Sequence, residues 1–225
     1  MRWIKRILFT ATAVACTAAA GPVCEPTRPD AEGPYWIPGS PERSDLRNPG
    51  DGPLLDLYFS VVDLDCMPVA GAWIDIWHTD PDGGYDNDGW GYRGHHFTDG
   101  TGNSLLETVI PGLYPGRTSH IHVKVRGATP TTLTTQLYFP DVPENKSDGL
   151  YHPDLEVTVL EEDAEGNMIA EFLFVLEETN PCPADVNGDG TINVSDLLAV
   201  IAGWGDPYDV DDLLLVISEW NVNCE

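Results

Sequence analysis

Gly112-Leu113-Tyr114-Pro115-Gly116-Arg117-Thr118-Ser119-His120-Ile121-His122-Val123-Lys124-Val125 brings a phenol, a guanidinium and two imidazoles into one short stretch. From Ser119 onward polar and apolar residues alternate, which is the period of a half-buried β-strand. His120 and His122 therefore project from one face, Ile121 and Val123 from the other. Pro115-Gly116 marks a turn ahead of that strand, and a turn there can return the Tyr114 phenol over the histidine face. Two imidazoles on one face make half of a metal cage, with Tyr114 as a third ligand. The plainer alternative is a His-x-His that serves only as polar facing.

Upstream, Trp73-Ile74-Asp75-Ile76-Trp77 is strand-like and leads into Pro81-Asp82-Gly83-Gly84-Tyr85-Asp86-Asn87, a glycine-rich loop that presents a second tyrosine. Two phenols and two imidazoles form a hard, partly anionic donor set. That set suits ferric iron better than zinc, whose sites favour thiolate, imidazole and carboxylate.

Around these segments the chain shows short β-type runs separated by Pro, Gly, Asp and Asn: 55–64, 72–77, 105–110, 120–126, 133–139, 155–160 and 168–176. Strands at this spacing, with no long helical period among them, predict a mainly β fold, an antiparallel β-sandwich with one inner face of each sheet forming the core. The polar, Pro- and Gly-bearing segment 141–154 reads as a loop near the mouth of the site.

Glu32-Gly33-Pro34-Tyr35-Trp36, Asp75-Ile76-Trp77-His78, Gly84-Tyr85-Asp86, Tyr92-Arg93-Gly94, the run from Tyr114 to His122 and Thr135-Gln136-Leu137-Tyr138-Phe139 together resemble the intradiol ring-cleavage dioxygenases, in the family's order, over about residues 24 to 176. The resemblance implies a β-sandwich catalytic domain and an Fe(3+) ion held by Tyr85, Tyr114, His120 and His122, with a water or hydroxide. Tyr114 would leave the metal when a catechol binds. Arg117 would be the catalytic arginine, and Gln136 a polar residue beside the iron ligands. The implied reaction cleaves a catechol-type ring between its two hydroxyl-bearing carbons, giving a cis,cis-muconate-type dicarboxylic acid that contains both atoms of O2. Tyr35, Trp36 and Trp90 are candidates for the pocket wall. Two departures stand out: the segment between Tyr114 and His120 is short, and the helical dimerisation region of the catechol and hydroxyquinol enzymes is missing. The first resembles a secreted, compact branch, the second speaks against a dimer of that type, and both leave the ring substituents open.

After Thr179 the composition changes. Asn180-Pro181-Cys182-Pro183 reads as a linker, and Asp185-Val-Asn-Gly-Asp-Gly-Thr-Ile-Asn-Val-Ser-Asp196 follows the EF-hand loop rule, with Gly190 at the sharp turn. Asp185, Asn187, Asp189, the Thr191 carbonyl, Asn193 and Asp196 are candidate Ca(2+) ligands. The closing Asp196 and the Leu-Leu after it resemble a dockerin-type repeat. The run 194–204 recurs sixteen residues on as 210–220, predicting two short amphipathic helices whose Leu-Leu and Val-Ile faces pack together. The second copy has Ile201, Gly203 and Gly205 where ligands would belong, so one calcium ion is expected.

At the other end, a basic start, the apolar run 7–15 and Ala18-Ala19-Ala20 read as a secretion signal over 1–20, with lipidation at Cys16 as the alternative. The expected division is signal 1–20, N-terminal arm 21–53, sandwich 54–179 and C-terminal module 180–225. Cys24, Cys66, Cys182 and Cys224 are an even set suited to an oxidising, secreted, periplasmic or cell-surface setting. Four cysteines permit three pairings. Cys182 with Cys224 is favoured because they bracket the module, leaving Cys24 for Cys66. A formal net charge of −26 repels nucleic acid and anionic membranes and tolerates cations. Three functions follow: an iron dioxygenase acting on a catechol with O2, an inactive sandwich of the same descent that binds aromatics or glycans, and a calcium-dependent surface attachment protein whose module meets a protein or cell-surface partner.

Overall fold

The computed structural model describes residues 23–48, 50, 52–177, 182, 184–205 and 208–224. The expected signal with Cys16, and Asn180, Pro181 and Pro183 of the expected linker, lie outside the described residues. The strands are β1 (Leu54–Val62), β2 (Trp73–Trp77), β3 (Arg93–Phe97), β4 (Asn103–Val109), β5 (His120–Arg126), β6 (Leu133–Tyr138), β7 (Thr158–Glu162) and β8 (Met168–Val175); the helices are α1 (Val194–Ala202) and α2 (Val210–Ser218). Two four-stranded sheets form, in the orders β4-β1-β8-β7 and β3-β2-β5-β6.

Strand alternation makes the core. Ile74, Ile76, Ile121, Val123, Val125 and Leu137 of the second sheet meet Leu55, Leu57, Phe59, Val61, Ala170 and Phe174 of the first. The opposite face of the second sheet carries Asp75, Trp77, His120, His122, Gln136 and Tyr138. Register sets Trp77 and Gln136 on either side of His122, and Tyr138 opposite His120. A sheet face this polar would ordinarily be wet, yet all six residues are buried. The N-terminal arm helps to cover them, held to the two sheets by backbone bonds from Thr27 to Val175, Asp30 to Thr134, Arg43 to His95 and Leu46 to Glu107. The Cys24–Cys66 disulfide anchors its start. Trp36 Nε1 and Ser40 Oγ both donate to the buried Asp75 carboxylate.

Three expectations are corrected. The sandwich is not wholly antiparallel, because β1 and β8 pair in parallel. They lie more than a hundred residues apart, so no hairpin dictates their direction, and all six other strands lie in the connection between them. β3 was not anticipated, since Arg-Gly-His-His-Phe lacks the apolar alternation that announces a strand. Gly94 fits there because a Cβ would lie 2.8 Å from the Arg43 carbonyl oxygen and 2.9 Å from Leu46 Cδ2. The run expected at 155–160 begins instead as a 3-10 turn, Pro153–Leu155, with β7 following from Thr158.

Cys182, Ala184, Ile192, Val200 and Val216 form a second, smaller core. The Cys182–Cys224 disulfide and backbone bonds between Ile192 and Val222 and between Cys224 and Gly190 close it. Both helices start with capping boxes, Asn193 with Asp196 and Asp209 with Asp212. The Leu-Leu and Val-Ile pairs do not pack as units. Val200 and Val216 are buried, while Leu198, Ile201, Leu214 and Ile217 are exposed, because neighbours in a helix point about 100° apart and only one of each pair can face inward. Among the described residues, no helix is long and apolar enough to cross a membrane.

Candidate metal centre

On the covered face of the second sheet four rings close a circuit. Ring centroids are 4.8 Å apart for His120 and His122, 5.6 Å for Tyr114 and His120, 5.9 Å for Tyr85 and Tyr114, and 6.3 Å for Tyr85 and His122. The histidines come from alternate positions of β5. Tyr114 comes from the turn before it, where Arg117 N bonds to the Tyr114 carbonyl. Tyr85 comes from the loop after β2, whose turn is held by bonds from Asp80 N to Gly84 O and from Gly83 N to Asp80 O.

Each ring is oriented from outside the circuit. Tyr35 of the arm stacks on Tyr85 at 4.2 Å. Arg93 of β3 clamps this pair by donating from Nη1 to the Tyr35 carbonyl and from Nε to the Asp86 carbonyl. The Trp77 indole lies parallel to His122 at 4.9 Å. His120 Nδ1 sits 2.6 Å from the Thr118 carbonyl, which can only accept, so the ring proton is on Nδ1 and the Nε2 lone pair is free. Burial, then the Arg117 charge, lowers His120 to a pKa of about 4; burial, then His120, lowers His122 well below the ordinary value. Both imidazoles are therefore neutral near pH 7. Burial, followed by the neighbouring Tyr114, pushes Tyr85 upward.

Tyr85 Oη, His120 Nε2 and His122 Nδ1 are buried without a hydrogen-bond partner. Leaving a buried polar group unpaired costs about 1–3 kcal/mol, so three in one circuit mark a place that another group completes. The donors are two phenols and two neutral imidazoles, a chemistry that fits a ferric ion.

Arg117 lies beside the circuit. Its Nε donates to Asp148 Oδ2 at 2.9 Å, its Nη2 to Gln136 Oε1 at 2.5 Å and its Nη1 to the Tyr114 hydroxyl at 3.3 Å. Gln136 is itself fixed, since its amide nitrogen donates to the Ala31 carbonyl and turns Oε1 toward Arg117. Burial alone would raise the Asp148 carboxyl, but the Leu150 and Thr118 N–H groups and Arg117 hold it below its ordinary value. The Tyr138 hydroxyl is 2.7 Å from Asp30 Oδ2.

The structure thus brings Tyr85, Tyr114, Arg117, His120, His122 and Gln136 together. Of the proposed wall aromatics, Tyr35 is in the site. Trp36 lies under Lys124 and donates to Asp75, next to but outside the circuit, and Trp90 is partly exposed with its carbonyl bonded to Arg43. Sequence reading missed Asp148, Asp30 and the clamp made by Arg93. Only the Tyr-Arg-Gly motif hinted at the last.

In the C-terminal loop the candidate calcium ligands bond mainly to their own backbone. Asp185 accepts from Asp189 N and Gly190 N, Asp196 from Asn187 N and Asn193 N, and Asn193 from Ser195 N. Among the described residues no group of three or more His, Cys, Asp or Glu side chains is assembled to hold a metal ion. Burial, then the charges of Asp196 and Asp189, raises Asp185.

The family model described as Dioxygenase matches residues 31–178. A chlorocatechol 1,2-dioxygenase of Pseudomonas putida is 30% identical over 181 residues, covering 61% of this chain and 69% of that protein. A chlorocatechol 1,2-dioxygenase of Pseudomonas sp. (strain P51) is 31% identical over 140 residues, and this chain spans 55% of its length. The solved dioxygenase domain of a dioxygenase carbohydrate-binding protein fusion from Streptomyces sp. SirexAA-E is 42% identical, with a TM-score of 0.66, covering 69% of this chain and all of that domain.

Proposed function

Because the chain belongs to the intradiol ring-cleavage dioxygenase family, we propose that it cleaves a catechol-type ring between the hydroxyl-bearing carbons with O2, yielding a cis,cis-muconate-type dicarboxylic acid. The observation that carries this reading is the closed circuit of two phenols and two imidazoles with three buried, unpartnered donor atoms. Tyr85, Tyr114, His120 and His122 would hold a ferric ion, which supplies the Lewis acidity that draws electron density from a bound catechol.

The protein's own groups divide the remaining work. Tyr85 is fixed from both sides by Tyr35 and Arg93, so it is suited to remain a ligand throughout. Tyr114 is only half-buried and its hydroxyl already meets Arg117, so it is suited to swing off and take one catechol proton on its oxygen. Arg117, fastened by Asp148 and Gln136, holds a fixed positive charge beside the substrate ring, where electron density builds as the ring reacts. The neutral imidazoles carry no competing proton on the free His120 nitrogen.

The module at 180–225 is proposed as dockerin-like, with Asp185, Asn187, Asp189, the Thr191 carbonyl, Asn193 and Asp196 binding one calcium ion and an apolar stripe meeting a protein or cell-surface partner. Supporting this are the loop spacing, the separate small core and the repeated exposed residues Val194, Leu198, Ile201 and Trp204 with Val210, Leu214, Ile217 and Trp220. The two disulfides support placement outside the cytoplasm after removal of a signal over 1–20.

The test is to purify the chain with iron and read colour, metal content and oxygen uptake with catechol, protocatechuate, hydroxyquinol and a lignin-like catechol, with product mass. One iron per chain, a visible tyrosinate band and a product heavier than substrate by two oxygen atoms are expected. A colourless protein that takes up no oxygen would instead favour the inactive sandwich.

A further inference from the structure

A depression of about 340 Å³ is lined by Tyr114 and Arg117 together with Leu113, Glu144 and Ser147, all of them exposed or half-buried. On the inner side the site is closed by buried His120 and His122 and by the Tyr35–Tyr85 stack. Tyr114 and Arg117 belong both to the circuit's surroundings and to the lining of this depression, so a catechol that directs its two oxygens at the buried donors and displaces Tyr114 extends its opposite edge, where ring substituents sit, toward it.

The charge there is one-sided. Arg117 is the cation at the rim, but Asp148 already compensates it at 2.9 Å through a carboxylate side chain that is 1% exposed. Glu144 has no salt bridge among the described residues. It sits in the 3-10 turn Pro143–Lys146, where residues three apart eclipse one another, so Glu144 and Ser147 share the side facing the depression while Lys146 is set off it. Leu113, 45% exposed, offers the adjoining apolar surface.

Building on the ring-cleavage reading, we infer that Glu144 determines specificity by charge. The site takes catechols whose ring substituent is neutral or cationic and disfavours those bearing a carboxylate. Two unit charges about 6 Å apart at a solvent-exposed rim change affinity roughly 3- to 10-fold. The preference should weaken as salt screens the rim.

The experiment measures kcat/KM of the iron-loaded full chain for 4-methylcatechol, 4-(2-aminoethyl)catechol and 3,4-dihydroxybenzoate at low and high salt. Dissociation constants taken without oxygen separate binding from chemistry. The aminoethyl to carboxylate ratio should fall about 10- to 100-fold in Glu144→Gln, because the attraction of one substituent and the repulsion of the other are both removed, fall further in Glu144→Lys, and narrow with salt in the unsubstituted protein. Glu162→Gln, at an exposed position of β7 outside the depression, should leave the ratio as it was. Equal kcat/KM for all three catechols, or an equal shift in the Glu162 variant, overturns the assignment to Glu144 while ring cleavage stands. No turnover of any catechol overturns ring cleavage, and this inference with it.

Discussion

Tyr114 and His122 differ in how the protein holds them, and that difference should show in iron content. His122 is buried under Trp77, whereas Tyr114 is half-buried on a turn and already bonded to Arg117. Tyr114→Phe is expected to retain iron and to bind catechol more slowly, and His122→Ala to lose most of the metal; equal loss in both, measured as iron per chain, would contradict the assignment. Arg117→Leu should keep its iron and lose roughly 10²-fold in turnover, the size seen when a charge-stabilising donor is removed. Asp148 is bonded to Arg117 Nε and is assigned to positioning that guanidinium. Asp148→Asn should lower kcat about 10-fold, the worth of one charge-assisted hydrogen bond, with iron retained. A kcat equal to that of the unsubstituted enzyme would show that Gln136 alone suffices to hold the guanidinium.

At the level of elements, β3 links the site to the stability of the sandwich. His95 and Arg93 look toward the arm, while His96 points between the sheets beside Phe59 and reaches Ser104 Oγ. Burial, then the neighbouring His95, lowers His96 from 6.5 to about 4. Between those values the unfolded chain binds a proton that the folded chain refuses, so stability rises with pH across the window. The contribution is present in full above about pH 6.5 and is lost as pH falls through about 4, amounting to about 3 kcal/mol at 1.4 kcal/mol per unit. Urea midpoints measured at pH 7 and pH 5 should show the loss, and His96→Leu should reduce it. An identical pH dependence in the variant would remove His96 as its source.

For the whole molecule, the two cores predict separable responses. The small core has two nine-residue helices, short enough to be marginal in water without a staple. Chelating calcium from the full chain should lower a melting transition of the 180–225 module and leave oxygen uptake intact; loss of activity on chelation, or no calcium bound at millimolar concentration, would refute the division of labour. Much of this organisation was legible in the sequence because it is local. Alternation set His120 and His122 on one face, the Pro-Gly turn placed Tyr114 ahead of them, and the recurrence at 210–220 announced the helix pair. The cysteine pairing followed from which residues bracket a compact segment. Other features depend on which segments meet in space, and a linear pattern carries no such information. Parallel pairing of β1 with β8 joins residues more than a hundred positions apart. β3 is a strand only because the arm and β2 supply partners for a polar pentapeptide. Asp148 reaches Arg117 across thirty-one residues, from a segment that reads as a loop near the mouth of the site but names no partner within it. Sequence by itself determined the strand faces and the repeat, through backbone periodicity. The tertiary structure alone decided that this polar sheet face is buried, because only the folded arm and loops exclude water from it and leave donor atoms of Tyr85, His120 and His122 without partners.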